Sequence, residues 1–111
     1  MKYLVTTELM GTSPVASPQQ AVQWMEQMAI PQIEAIMKLE AEKKILAGGN
    51  LVGGRGGVFI MEAASSEELD RLLMSLPMWG MLEIDVTPLG SFEARLAESR
   101  QQLEDLKATL K

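Results

Sequence analysis

The sequence predicts an α+β domain with element order βαββαβ, followed by one further helix. Three observations carry this. Two segments, MKYLVTTELM at the start and MLEIDVTPL from Met81 to Leu89, read as strands, the second with strict apolar/polar alternation. Two helix-start signals, Ser17-Pro18-Gln19-Gln20 and Ser65-Ser66-Glu67-Glu68, each precede apolar residues recurring at threes and fours. A short apolar run, Val58-Phe59-Ile60-Met61, follows a stretch in which six of the nine glycines lie between Gly48 and Gly57.

The first strand is expected over Lys2–Met10, where Tyr3, Val5, Thr6 and Thr7 favour extended backbone and Gly11-Thr12-Ser13-Pro14 form a turn cluster. Ser17 then supplies a capping hydroxyl, Pro18 fits the first helical position, and Gln20 completes a capping box. Val22, Met25, Met28, Ala29, Ile33, Ile36 and Met37 form one apolar stripe reaching toward Ile45. Pro31 removes a backbone donor inside that run and should kink or divide the helix. Gly48 or Gly49 suits a left-handed helix cap, and Gly53-Gly54-Arg55-Gly56 a hairpin turn into the Val58–Met61 strand. Leu69, Leu72, Leu73 and Leu76 mark the second helix, which Pro77 stops. On the last strand Leu82, Ile84 and Val86 face one way, and Glu83, Asp85 and Thr87 the other. This order is the split βαβ, ferredoxin-like plan.

The chain divides at about residue 90. Residues 91–111 place Phe92, Leu96, Ser99, Leu103, Leu106 and Leu110 at spacings of 4, 3, 4, 3 and 4, a heptad seam interrupted once by Ser99. This tail reads as an amphipathic helix that either packs on its own domain or serves as an oligomerisation element.

Composition limits the function. A chain of 111 residues with 47% hydrophobic content has room for one core. The net charge of -5 leaves no basic footprint, so no nucleic-acid partner is expected. Without about 20 consecutive apolar residues or a basic leader, no membrane partner is expected and a cytoplasmic location is. The chain contains no histidine and no cysteine. That excludes a Ser-His-acid triad, a thiol nucleophile and the usual zinc ligand sets within one chain. Proton chemistry falls to a carboxylate, lysine, tyrosine, water or a cofactor.

The glycine-rich stretch LAGGNLVGGRGGVF lacks the Lys-Ser/Thr ending of a phosphate loop and the spacing of a dinucleotide fingerprint. It therefore reads as cap, short strand and hairpin, with glycines that also let a ligand approach the backbone. The candidate proton carriers are the strand carboxylates Glu8, Glu83 and Asp85, expected together on the sheet face away from the helices. A second sheet covering that face would raise their pKa values toward the range useful in general-base chemistry. A plain solvated face is the alternative reading. Met74, Met78 and Met81 surround Trp79 and suit either core packing or an adaptable apolar pocket.

The segment SSEELDRLLMSLPMWGMLEIDVTPL, residues 65–89, resembles the muconolactone isomerase family, in which a helix of the form ELxxLLxxLP precedes a last strand ending in VTPL. Here those elements are Glu68-Leu69, Leu72-Leu73, Leu76-Pro77 and Val86-Thr87-Pro88-Leu89. The opening KYLVTTE looks like the family's first strand, with Glu8 at its acidic position. The resemblance implies a ferredoxin-like subunit that pairs sheet to sheet into a dimeric α/β barrel, with the chain itself as partner in a homodimer or larger oligomer. It also implies cofactor-free proton transfer on a small apolar carbonyl or lactone compound. Glu8, Glu83 or Asp85 would carry the proton, Asn50 or Arg55 would polarise the carbonyl, and Trp79 would contact the substrate. The alternative is a non-catalytic oligomeric binding or scaffold protein of the same fold. Where the isomerases carry basic and aromatic residues leading into and along their second strand, this chain has Leu46-Ala47-Gly48-Gly49-Asn50-Leu51.

Overall fold

In the computed structural model, which describes residues 1–11 and 17–110, four strands form one sheet in the order β2-β3-β1-β4. They are β1 (Lys2–Leu9), β2 (Ile45–Asn50), β3 (Gly56–Glu62) and β4 (Leu82–Leu89). Every neighbouring pair is antiparallel. The helices are α1 (Pro18–Trp24), α2 (Ile30–Ala41), α3 (Ser66–Met74) and α4 (Phe92–Thr109), with a short 3-10 turn over Trp79–Met81. The element order and strand order are those of the ferredoxin-like α+β plan, with α4 appended. Among the described residues, no helix is long and apolar enough to cross a membrane. The Thr12-Ser13-Pro14 part of the expected turn cluster lies outside the described residues.

Side chains alternate across β1, so Tyr3, Val5 and Thr7 are buried while Leu4, Thr6 and Glu8 point away. Residues directly opposite on antiparallel strands share a face. The register pairs Val5 with Val86, Thr7 with Ile84 and Thr7 with Gly57, which places Leu82, Ile84, Val86, Gly57, Phe59 and Met61 on the inner face. The core joins Tyr3, Val5, Ile45, Phe59 and Met61 of the sheet to Leu39 of α2 and to Leu69, Leu73 and Leu76 at α3. At roughly 1.5–3 kcal/mol for each fully buried large apolar side chain, this alternation decides which sheet face the helices cover.

Pro31 divides the first helical arm as expected. α1 and α2 are separated by a π-helical turn, Met25–Ala29, in which the Ile30 N–H reaches back to the Met25 carbonyl. The stripe on this arm is less buried than its periodicity implies. Val22, Met25, Ile33 and Met37 are all more than half exposed, and among the helix residues only Gln32 and Leu39 are fully buried.

The segment after α2 corrects the expected boundary. The helix stops at Ala41, and Lys43, not Gly48 or Gly49, takes the left-handed conformation, with φ of 62°. The Lys44 N–H bonds the Leu39 carbonyl and the Lys43 N–H bonds the Glu40 carbonyl, a Schellman termination in which lysine occupies the usual glycine position. Gly48 and Gly49 lie inside β2 instead. Gly48, at φ +139°, leaves no room for a side chain, since a Cβ there would fall 2.1 Å from the Val58 carbonyl oxygen. Gly56 is tighter still, because its Cβ would meet the Thr7 carbonyl oxygen at 1.8 Å. The hairpin over Leu51–Arg55 forms as expected, with Gly53 at φ +80° and the Leu51 N–H bonded to the Gly56 carbonyl.

At the start of α3, Ser65 Oγ accepts from the Glu68 N–H at 3.2 Å. The return bond differs from the standard box: Glu68 Oε2 accepts from the Ala64 N–H at 2.6 Å, one residue before the cap. The other carboxylate oxygen takes the Lys44 ammonium at 2.9 Å, linking α3 to the end of α2.

Candidate functional site

Between the α1–α2 arm and the β2-β3-β1 part of the inner sheet face lies an open cleft of about 510 Å³. That size is in the range of small-molecule sites. Its wall on the helical side is built by Trp24, Ile33, Ile36 and Met37, and its floor by Ile45, Phe59, Leu82 and the glycines Gly48, Gly49, Gly56 and Gly57. The glycines explain why a cleft exists here. Gly48 and Gly57, opposite Phe59 and Thr7 on the inner face, present no side chain to the cleft, which leaves space beneath the helical arm.

Polar groups lining the cleft differ in how far their hydrogen-bonding capacity is already used. Thr7 is buried and its hydroxyl both donates to the Gly57 carbonyl and accepts from the Gly57 N–H, each at 3.0 Å. Gln32 is buried and its Oε1 accepts from the Met78 N–H at 2.9 Å, which fixes the lower turn against α2. The Arg55 guanidinium donates to the Gly11 carbonyl at the end of β1. The Leu9 N–H in turn bonds the Arg55 carbonyl at 2.7 Å. Trp24 is the exception. Its Nε1 is buried yet has no hydrogen-bond partner among the described residues. A buried N–H left unpaired costs on the order of 1–3 kcal/mol, so a ligand oxygen placed there would recover that loss.

The sheet divides the residues predicted from sequence into two groups. Asn50 and Arg55 line the cleft. Glu8, Glu83 and Asp85 lie on the opposite face, around a smaller depression of about 320 Å³ that also involves Thr6, Leu51 and Val58. Glu8 and Glu83 sit directly opposite one another across β1 and β4, and Asp85 pairs with Thr6. All three acids are exposed in the single chain. Trp79, 43% exposed in the 3-10 turn, lines neither hollow, while neighbouring Met78 is buried and reaches the cleft. Met74 is exposed.

Two cleft residues escaped the sequence reading. Trp24 stands one residue before the π turn and looks like another member of an apolar stripe. Glu40 is the carboxylate lining the cleft and stands exposed on the last turn of α2. The available signal was spacing: Gln32, Ile36 and Glu40 recur every four residues, which sets a carboxylate and an amide on the same helix face as cleft-lining apolar residues.

Comparison with known proteins gives the fold a context. No curated protein matches the sequence. Among solved structures, the crystal structure of muconolactone isomerase at 3.3 Å resolution superposes with a TM-score of 0.67 at 21% identity, covering 82% of this chain and 90% of that one. The 5-chloro-2-hydroxyhydroquinone dehydrochlorinase from Burkholderia phenoliruptrix AC1100, solved in complex with 2,5-dihydroxybenzoquinone, superposes with a TM-score of 0.59 at 19% identity, covering 85% and 98%. At these identities the superpositions establish a shared fold. The model of the muconolactone delta-isomerase family matches residues 1–95, which spans all four strands and the first three helices. The chain therefore belongs to the muconolactone delta-isomerase family.

Proposed function

We propose that this protein is a small cofactor-free enzyme that moves a proton within an unsaturated, largely apolar carbonyl or lactone compound bound in the helix-covered cleft. The observation that carries the reading is an apolar hollow of ligand size lined by Trp24, whose buried indole N–H has no partner among the described residues. A ligand carbonyl toward which the Trp24 indole turns its N–H gains a hydrogen bond at the cleft wall. The bond strengthens as negative charge builds on that oxygen. Arg55 and Asn50, at the same cleft, add a cationic group and an amide donor.

Proton transfer needs a base within hydrogen-bond reach of the substrate. Glu8, Glu83 and Asp85 are separated from the cleft by the sheet itself, so in this reading Glu40 is the proton carrier. Its carboxylate takes a proton from carbon adjacent to the unsaturated carbonyl system, breaking one C–H bond. The electron pair delocalises onto the oxygen held by Trp24, and the same carboxyl returns the proton at the far carbon. The double bond has shifted, with no net oxidation and no co-reactant. The relatives' printed names fit this class: one isomerises a lactone, and the other removes chloride from a hydroxylated ring and is solved with a quinone.

The open-face acids are assigned to assembly, where a second copy pairing sheet to sheet would cover them. A non-catalytic binding protein is the second reading, favoured by one observation: the carboxylate lining the cleft is solvent-exposed. The test supplies unsaturated γ-lactones and follows double-bond migration together with deuterium uptake from heavy water. Glu40→Gln should lower turnover by about 10²-fold or more while leaving ligand affinity within about twofold. Binding without turnover or exchange in the unaltered protein would support the binding-protein reading instead.

A further inference from the structure

α4 has no place on its own domain. The helix runs for 18 residues, none of them buried, and carries the molecule to a long dimension of 76 Å against 28 and 22 Å. Phe92 is 93% exposed and Leu110 85%, with Leu96, Leu103 and Leu106 at half exposure or more. This excludes packing of α4 against its own sheet or helices. Most of the helix also lies beyond residue 95, where the family match ends.

We propose that α4 pairs antiparallel with α4 of a second copy of this chain. The seam assigns Phe92, Ser99 and Leu106 to d positions and Leu96, Leu103 and Leu110 to a positions. Arg95, Gln102 and Thr109 then occupy g, and Glu93, Arg100 and Lys107 occupy e. In a parallel pair Arg95 faces Arg100 of the partner copy twice by symmetry, against a single Arg100–Arg100 approach at the axis of an antiparallel pair, and Ser99 faces Ser99 in the buried seam. In the antiparallel pair, Phe92 meets the partner copy's Leu110, Leu96 meets its Leu106, and Ser99 meets its Leu103, so every layer contains at least one large apolar side chain. The e positions then set Glu93 against the partner copy's Lys107, twice by symmetry. Among the described residues Lys107 makes a long, exposed contact of 3.8 Å to Glu104, which does not compete strongly. The helix dipoles also oppose in this arrangement. The contact is isologous and closes on itself as a two-fold pair. Three heptads are marginal for two free peptides, so the pairing draws on the attached domains being held together at a further contact.

The chain has no cysteine, so a single introduced thiol reports the geometry cleanly. Arg100 lies next to the two-fold axis of the antiparallel pair, and mild oxidation of Arg100→Cys should give a disulfide-linked dimer, while Leu103→Cys, which would face itself only in a parallel pair, should not crosslink. Truncation after Gly90 should at least halve the subunit count measured by native mass spectrometry, with circular dichroism showing that the remaining domain is folded. Lys107→Glu should weaken assembly about tenfold, and Glu93→Lys combined with Lys107→Glu should restore it. An unchanged subunit count on truncation would overturn the proposal. So would crosslinking at Leu103→Cys in place of Arg100→Cys, as would a smaller assembly with neither crosslink, which would mean that α4 docks on another surface such as the exposed Val22, Met25, Ile33 and Met37 stripe.

Discussion

The two faces of the sheet are built from the same strands and do opposite things. On the inner face, Tyr3, Val5, Thr7, Phe59 and Met61 meet helices, and among the described residues every buried polar side chain but one finds a partner. On the outer face, Glu8, Glu83 and Asp85 gather around a shallow hollow with two carboxylates directly opposed. One face is specified by packing and leaves a single unanswered donor; the other is specified by charge and leaves a surface to be covered. Acid residues that look catalytic in sequence can thus lie a full sheet thickness from the larger hollow.

The largest effect should come from the glycines that hold β1, β2 and β3 together beneath the cleft. Gly56→Ala drives a Cβ into the Thr7 backbone, and Gly48→Ala meets the Val58 backbone at a strained φ. Each is expected to cost at least ~3 kcal/mol in denaturant unfolding. Gly80→Ala, where a Cβ meets nothing within 4 Å, should stay within about 0.5 kcal/mol. Equal costs at all three positions would break the claim that backbone approach shapes the inner face.

Next in size is Thr7→Val, which removes the hydroxyl bonded twice to Gly57. A loss of about 1–3 kcal/mol is expected, read from the same unfolding curves, because buried backbone groups lose a partner.

A pH series tests the link between α3 and α2. The Ala64 N–H, helped by the Lys44 ammonium, holds the Glu68 carboxyl below its ordinary value, against a smaller opposing effect of burial. A carboxyl depressed in the folded state stabilises it above the unfolded pKa, and that contribution disappears as pH falls through the folded value. Glu68→Gln should therefore be less stable than the unaltered chain near neutrality, and the gap should close on acidification below the normal carboxylate range. A gap that widens in acid would contradict the assignment.

The smallest effect belongs to the outer face. Glu83→Gln relieves the repulsion with Glu8 and should raise stability by about 0.2–1 kcal/mol without altering ligand affinity.

How much of this was legible in the sequence follows from which forces are local. The alternation in β4 and the two Ser-led helix starts were readable because period and capping depend on neighbouring residues, and the structure places them as expected. The end of α2 was not. Lysine rarely takes the left-handed conformation, so nothing marked Lys43 as the cap, and the glycines further on drew the boundary toward themselves. β2 was shortened for the same reason, since Gly48 and Gly49 weaken a strand signal even where close packing requires them. The site divided along similar lines. Asn50 and Arg55, conspicuous in sequence as an amide and a guanidinium among glycines, line the cleft. Trp24 and Glu40 were missed because their meaning comes from what the sheet brings opposite them, which no helical periodicity records. Trp79 lines neither hollow, and the adjacent buried Met78 reaches the cleft beside it.

The most direct test of the cleft uses the chain's two tryptophans, which give two indole N–H signals in a 15N-labelled sample. Titration with a small unsaturated lactone should move the Trp24 signal downfield as it gains an acceptor, and leave Trp79 in place. A titration in which Trp24 stays still while Trp79 shifts would contradict the account.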